Sequence, residues 1–80
     1  MAQNSSLFEL ERLAINFALS ANWEEAIRTN QDILQIEPFN LAALNRLGIA
    51  YLKDNKIDQA RKEFEKVLKI DQFNSIAKNN

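Results

Sequence analysis

Eighty residues with 46% hydrophobic and 26% charged content describe one small globular domain, not a disordered chain. A net charge of −1 gives no overall pull towards nucleic acid or anionic membrane, and the lack of Cys and His removes disulfides, thiol catalysis, zinc-finger sites and imidazole acid–base chemistry. One Gly and one Pro leave little punctuation for hairpins, so long helices are expected.

The opening residues, MAQNSSLFELERLAINFALS, lack a basic leader, and Glu9, Glu11 and Arg12 interrupt the apolar run. It reads as neither a signal peptide nor a spanning segment, so a soluble cytoplasmic protein is expected. Asn4-Ser5-Ser6 fits the glycosylation pattern only by chance in that context. Residues 1–6 read as an extension, and Ser6-Leu7-Phe8-Glu9 as a capping box for a first helix over 7–20. Leu7, Leu10, Leu13, Ala14 and Phe17 supply its apolar stripe.

Asn22 is placed to cap a second helix over 23–37, with Glu24 and Glu25 in its first turn and Trp23, Ala26, Ile27, Ile33 and Leu34 on its apolar side. Pro38 ends it. Asn40 can cap a third helix over 41–54, striped by Leu41, Leu44, Leu47, Gly48 and Tyr51. Asp54-Asn55-Lys56 reads as a turn in which Asn55 takes the left-handed conformation. A fourth helix over 57–71 follows, with Ile57, Ala60, Phe64, Val67 and Leu68, and Asn74 can cap a fifth beginning at Ser75. Short connectors make neighbouring helices antiparallel.

Laying residues 7–40 over 41–74 needs no gap and gives ten identities: Leu7/Leu41, Leu10/Leu44, Arg12/Arg46, Leu13/Leu47, Ile15/Ile49, Ala26/Ala60, Leu34/Leu68, Ile36/Ile70, Phe39/Phe73 and Asn40/Asn74. The chain is therefore two repeats, 7–40 and 41–74, with the start of a third at 75–80. A 34-residue helix–turn–helix unit carrying W-x2-L-G-x2-Y, A-x3-F and P is the tetratricopeptide pattern. The second unit resembles it through Leu44 (in place of Trp), Leu47, Gly48, Tyr51, Ala60 and Phe64; the first through Leu10, Leu13, Ala14, Phe17, Ala26 and Pro38. The resemblance covers residues 7–74 and implies an all-α fold: antiparallel helix–turn–helix repeats stacked as a right-handed superhelix, or α-solenoid.

Three departures matter. Ala14 replaces the Gly of close helix approach, where one methyl should fit. Asn30 replaces the Phe, with Ile33 offsetting the lost ring, and so needs a hydrogen-bond partner. Gln72 replaces the Pro and loosens the last turn. With fewer than two turns of a fifth helix, Phe64, Val67 and Leu68 should be poorly covered. Either the chain continues in a longer protein, the favoured reading, or a partner or second copy supplies the lid.

No catalytic, cofactor or metal constellation emerges, and the chain reads as a non-enzyme. The acids have bases at helical spacing, as in Glu24–Arg28, Asp58–Lys62 and Glu65–Lys69. Asp54 to Glu65 spans a calcium-loop length, but Lys56 and Gln59 occupy ligand and glycine positions. Arg61, Lys62, Lys66 and Lys69 are interleaved with Glu63 and Glu65 and read as a solvated face, not a nucleic-acid site. Phe17, Trp23, Tyr51 and Phe64 sit at core positions.

In tetratricopeptide arrays the first helix of each repeat lines a groove that binds a peptide or partner protein. The resemblance places Phe8, Glu11, Arg12, Ile15 and Leu19 on that face from the first helix, and Ala42, Asn45, Arg46, Ile49, Leu52 and Lys53 from the third. Arg12 with Arg46, and Ile15 with Ile49, form basic and apolar ladders suited to a ligand with acidic and apolar groups. The competing reading is that these residues pair with Glu11 or pack on further helices. The carboxylate clamp for chaperone tails needs Lys and Asn where Glu11 and Ile15 stand, and Asn where Arg46 stands, which disfavours that partner. Residues 1–40 carry −4 and residues 41–80 carry +3, a polarity that could drive end-to-end self-association or be a neutral accident. Homo-oligomerisation and a regulatory role within a larger protein are the alternatives to groove binding.

Overall fold

A computed structural model describes residues 2–79, with the side chains of 2–6, 75 and 79 outside that description. The described chain is all-α: α1 Ala2–Leu19, α2 Trp23–Ile36, α3 Leu41–Lys53, α4 Ile57–Ile70 and α5 Ser75–Asn79. Each helix packs against its neighbours in sequence, as expected for a solenoid built from helix pairs. The helix from 7 in fact begins at Ala2, so Ser6 lies inside α1 and cannot cap it. Glu9 turns instead to Arg12, with both guanidinium contacts at 3.0 Å.

The two intra-repeat turns are the same object. Ala21 (φ 58°) and Asn55 (φ 64°) both take the left-handed conformation. Asn22 N–H donates back to Phe17 O at 2.8 Å, and Lys56 N–H to Tyr51 O at 2.7 Å. These six-to-one bonds, with those from Ala21 N–H to Ala18 O and Asn55 N–H to Leu52 O, satisfy the last carbonyls of α1 and α3 in Schellman fashion. Asn22 stands at the start of α2 but makes no side-chain cap. The turns between repeats also match: Asn40 N–H reaches Glu37 O and Asn74 N–H reaches Asp71 O, both at 3.1 Å, although Gln72 stands where the first turn has Pro38. Asn40 Oδ1 caps α3 through Ala43 N–H at 2.9 Å, and Asn74 Oδ1 caps α5 through Ala77 N–H at 3.2 Å.

Two apolar clusters meet at Leu34. Ala14, Ile33 and Ala43 join α1, α2 and α3; Leu44, Ala60, Phe64, Val67 and Ala77 join α3, α4 and α5. The expectation that the end of the array is uncovered fails for Phe64 (4% exposed) and Val67 (0%), and Leu68 is half-buried. The short α5 contributes to this, with Ala77 (3% exposed) packed into the same cluster as Phe64 and Val67. Gly48 lets α3 approach α4 closely: a Cβ there would lie 2.7 Å from two Phe64 ring atoms. At the equivalent places the first repeat has a methyl (Ala14) and, where the second has the ring, the shorter Asn30. Of the aromatic residues assigned to the core, only Phe64 is fully buried; Phe17, Trp23 and Tyr51 are half-buried.

Along α2 and α4 the ion pairs form three residues apart, not four. Glu25 pairs with Arg28, Asp58 with Arg61 and Glu63 with Lys66, at 3.4, 3.6 and 3.4 Å. Arg61, Lys62, Lys66 and Lys69 are all solvent-exposed. No helix among the described residues is long and apolar enough to cross a membrane.

Candidate functional site

The face expected to line a groove divides into an open half and a locked half. On α1, Phe8 is 72% exposed, Ile15 46% and Leu19 80%, and Arg12 is also exposed. Spacings of four, three and four put these residues on one stripe of the helix. On α3 only Ala42 and Lys53 are exposed; Arg46, Ile49 and Leu52 are half-buried, and Asn45 is buried. Ile49 and Leu52 pack on the Leu44–Phe64 cluster, so the apolar ladder is uneven: Ile15 is available and Ile49 is largely spent on the core.

Arg46 does not stand free. Its Nη2 is bound to Glu11 Oε1, and its Nε donates to Asn30 Oδ1 at 3.0 Å. Asn30, fully buried, also donates from Nδ2 to Ala26 O at 2.8 Å, which gives the polar residue at a ring position the partners it requires. Glu11 Oε2 accepts a longer bond from Asn40 Nδ2 at 3.4 Å. The second repeat differs here. Asn45, the counterpart of Glu11, donates to Asn74 Oδ1 at 3.2 Å, while its own Oδ1 is buried without a partner among the described residues.

Arg12 is held differently. Its exposed pair with Glu9 lowers the Glu9 carboxyl below its ordinary value, first through the hydrogen bond and then through charge, and raises the Arg12 guanidinium for the same reasons. Because water screens both groups, this pair is exchangeable. In the α3–α4 turn the Lys56 ammonium is raised chiefly by its hydrogen bond to Asp54, 2.6 Å away.

Sequence reasoning gave no role to two further exposed rings, Phe39 (76%) and Phe73 (77%). They occupy the same place in successive inter-repeat turns, where hydrogen bonding needs no apolar side chain. Their identity between repeats was the available signal. The ammonium of Lys78 lies 6.0 Å from the centre of the Phe73 ring.

A family model described as tetratricopeptide repeat matches residues 18–79. The chain belongs to the tetratricopeptide-repeat family. Tetratricopeptide repeats generally mediate protein–protein interaction and are not themselves catalytic. Among similar proteins are human sperm-associated antigen 1, 35% identical over 57 residues, and an Arabidopsis thaliana protein named peptidyl-prolyl cis-trans isomerase PASTICCINO1, 32% identical over 50 residues. The alignments take in 71% and 62% of this chain but only 6% and 8% of those proteins, so it spans a small part of either relative. No cluster of three or more potential metal-ligating side chains occurs among the described residues.

Proposed function

We propose that this tetratricopeptide-repeat chain is a cytoplasmic, non-catalytic scaffold that holds a segment of a partner protein along α1 and the adjoining edge of α3. One observation carries the reading: Phe8, Ile15 and Leu19 form an exposed apolar stripe on a helix whose opposite side is already packed. A partner laying an apolar side chain against each would gain most of its affinity there. Arg12 lies within the stripe, and a ligand carboxylate can replace Glu9 at little cost because that pair is solvated. Arg46 is a structural cation in this reading, since withdrawing it would strand Glu11 and Asn30. The preferred ligand is thus mainly apolar, with one acidic group opposite Arg12.

The test is capture of partners from a cell extract by the wild-type chain and by a Phe8→Ala, Ile15→Ala, Leu19→Ala triple variant. The exposed side chains should be removable with little change in melting temperature, while partner retention falls about tenfold or more. Equal retention by both proteins would exclude the α1 stripe as the binding surface.

A further inference from the structure

A second site lies where the inter-repeat turn meets the end of α4, and it shares no residue with the α1 stripe. Pro38 and Phe39 form one wall, Leu44 the floor, and Lys66, Lys69 and Ile70 the other wall of a pocket of about 160 Å³. Lys66, Lys69 and Ile70 are spaced by three and four residues and so share one face of α4. The pocket's size suits one ring or branched aliphatic side chain, since a cavity of about 150 Å³ accepts a benzene-sized group. Two lysines and no acid are among its lining residues. Lysines of this kind line a wall with their methylene stems and keep the charge at the rim. Lys66, its own side chain 60% exposed, pairs at 3.4 Å with the largely buried Glu63, so an incoming carboxylate meets the open side of the ammonium and leaves that pair in place.

We infer that this pocket is an anchor site for a partner peptide presenting one Phe- or Leu-type side chain directly beside a carboxylate. The apolar side chain sits between the Phe39 ring and Ile70, and the acid meets Lys66 and Lys69. The partner is a peptide and not an anionic membrane for two reasons. The recess is concave and holds a single side chain. On the other side of Phe39 a shallow recess carries Glu37, which a negatively charged surface would meet together with the lysines.

The probes are fluorescein-labelled Gly-Glu-Phe-Glu-Gly, the same peptide with Ala for Phe, and one with Gln for both Glu, titrated by fluorescence anisotropy. Backbone amide shifts by NMR locate the bound peptide. Burial of the ring should separate the Phe and Ala probes by about ten- to a hundredfold in affinity. The Gln probe and a Lys66→Gln, Lys69→Gln variant should each weaken binding by about threefold or more, with shifts centred on residues 38–44 and 66–70. A Phe39→Ala, Ile70→Ala variant should lose the Phe preference while its circular-dichroism melt stays close to wild type, because both side chains are substantially exposed. Equal binding of the Phe and Ala probes, or of the Glu and Gln probes, would overturn the inference. So would shifts confined to Phe8, Ile15 and Leu19, stronger sedimentation with phosphatidylserine vesicles than with the Phe probe, or self-association abolished by Phe39→Ala, which would make the occupant a second copy. The α1 variant used to test groove binding should leave this titration unchanged, so the two sites can fail separately.

Discussion

Replacing Arg46 with Ala tests how far the contact between repeats depends on a polar lock. The change removes the donor to Asn30 Oδ1, held at 3.0 Å in a residue with no solvent exposure, and leaves that acceptor unpaired. An orphaned buried acceptor costs about 1–3 kcal/mol. The Glu11 pair adds less, on the order of 0.5 kcal/mol, since its side chains are 22% and 33% exposed and partly screened. The expected loss is therefore about 2 kcal/mol, a large share of the roughly 4–12 kcal/mol available to a domain of this size. Urea denaturation followed by circular dichroism measures it, with an unchanged slope showing that the unfolded state is not what moved. In an Asn30→Leu background the same Arg46→Ala step should cost about 1 kcal/mol less, because no buried acceptor remains to be stranded. A single-variant loss below about 0.5 kcal/mol together with additivity in the cycle would refute the lock. The result also decides how groove variants are chosen: an Arg46→Ala protein that fails to bind would report loosened helices as readily as a lost contact.

Gly48→Ala should cost about 1–2 kcal/mol, the net of overpacking against the Phe64 ring and the better helix propensity of Ala, and less in a Phe64→Leu background; thermal melts of the four proteins check it. Ala21→Asn should stabilise by about 0.5–1 kcal/mol, or roughly 2–8 °C in melting temperature, because it puts at φ 58° the residue that Asn55 already supplies at φ 64°. Carbon NMR should find the Glu9 carboxyl titrating below its ordinary value, with Arg12→Ala returning it; because the folded-state pKa is the lower one, the associated stability is present above the ordinary carboxylate value and is lost as pH falls through the lowered one.

Much of the fold was legible because the repeat is written twice. Where one copy was ambiguous the other settled it: Asn55 announced a left-handed turn that Ala21 alone does not advertise, and both turns proved identical in their backbone bonds. The misses came from choices that periodicity does not control. A Ser three residues before a Glu is a cap only if the chain has not already entered the helix, and α1 begins four residues earlier, at Ala2. Arg28 stands four residues from Glu24 and three from Glu25, and Asp58 has Arg61 at three and Lys62 at four; in both cases the shorter spacing was taken. The α1 half of the candidate site could be read from helical spacing. Its α3 half could not, because the same spacing describes both an exposed face and one already claimed by a neighbouring helix.

The Arg46 cluster shows why that ambiguity is resolved between repeats and not within one. Asn30 stands where the second repeat has Phe64, and Ala14 where it has Gly48, so the first repeat has an amide and a methyl where the second packs a ring against bare backbone. The exchange buries two polar groups, of which Ala26 O satisfies one and Arg46 on the third helix the other. Arg46 thereby becomes part of the fold, Glu11 balances its charge, and a cation that sequence placed in a binding groove is committed to joining repeats. Its repeat counterpart Arg12 has no such obligation and, among the described residues, pairs with Glu9 on its own helix. Identical residues at identical repeat positions therefore carry different duties: Arg46 is constrained by packing, while Arg12 remains free to meet a ligand.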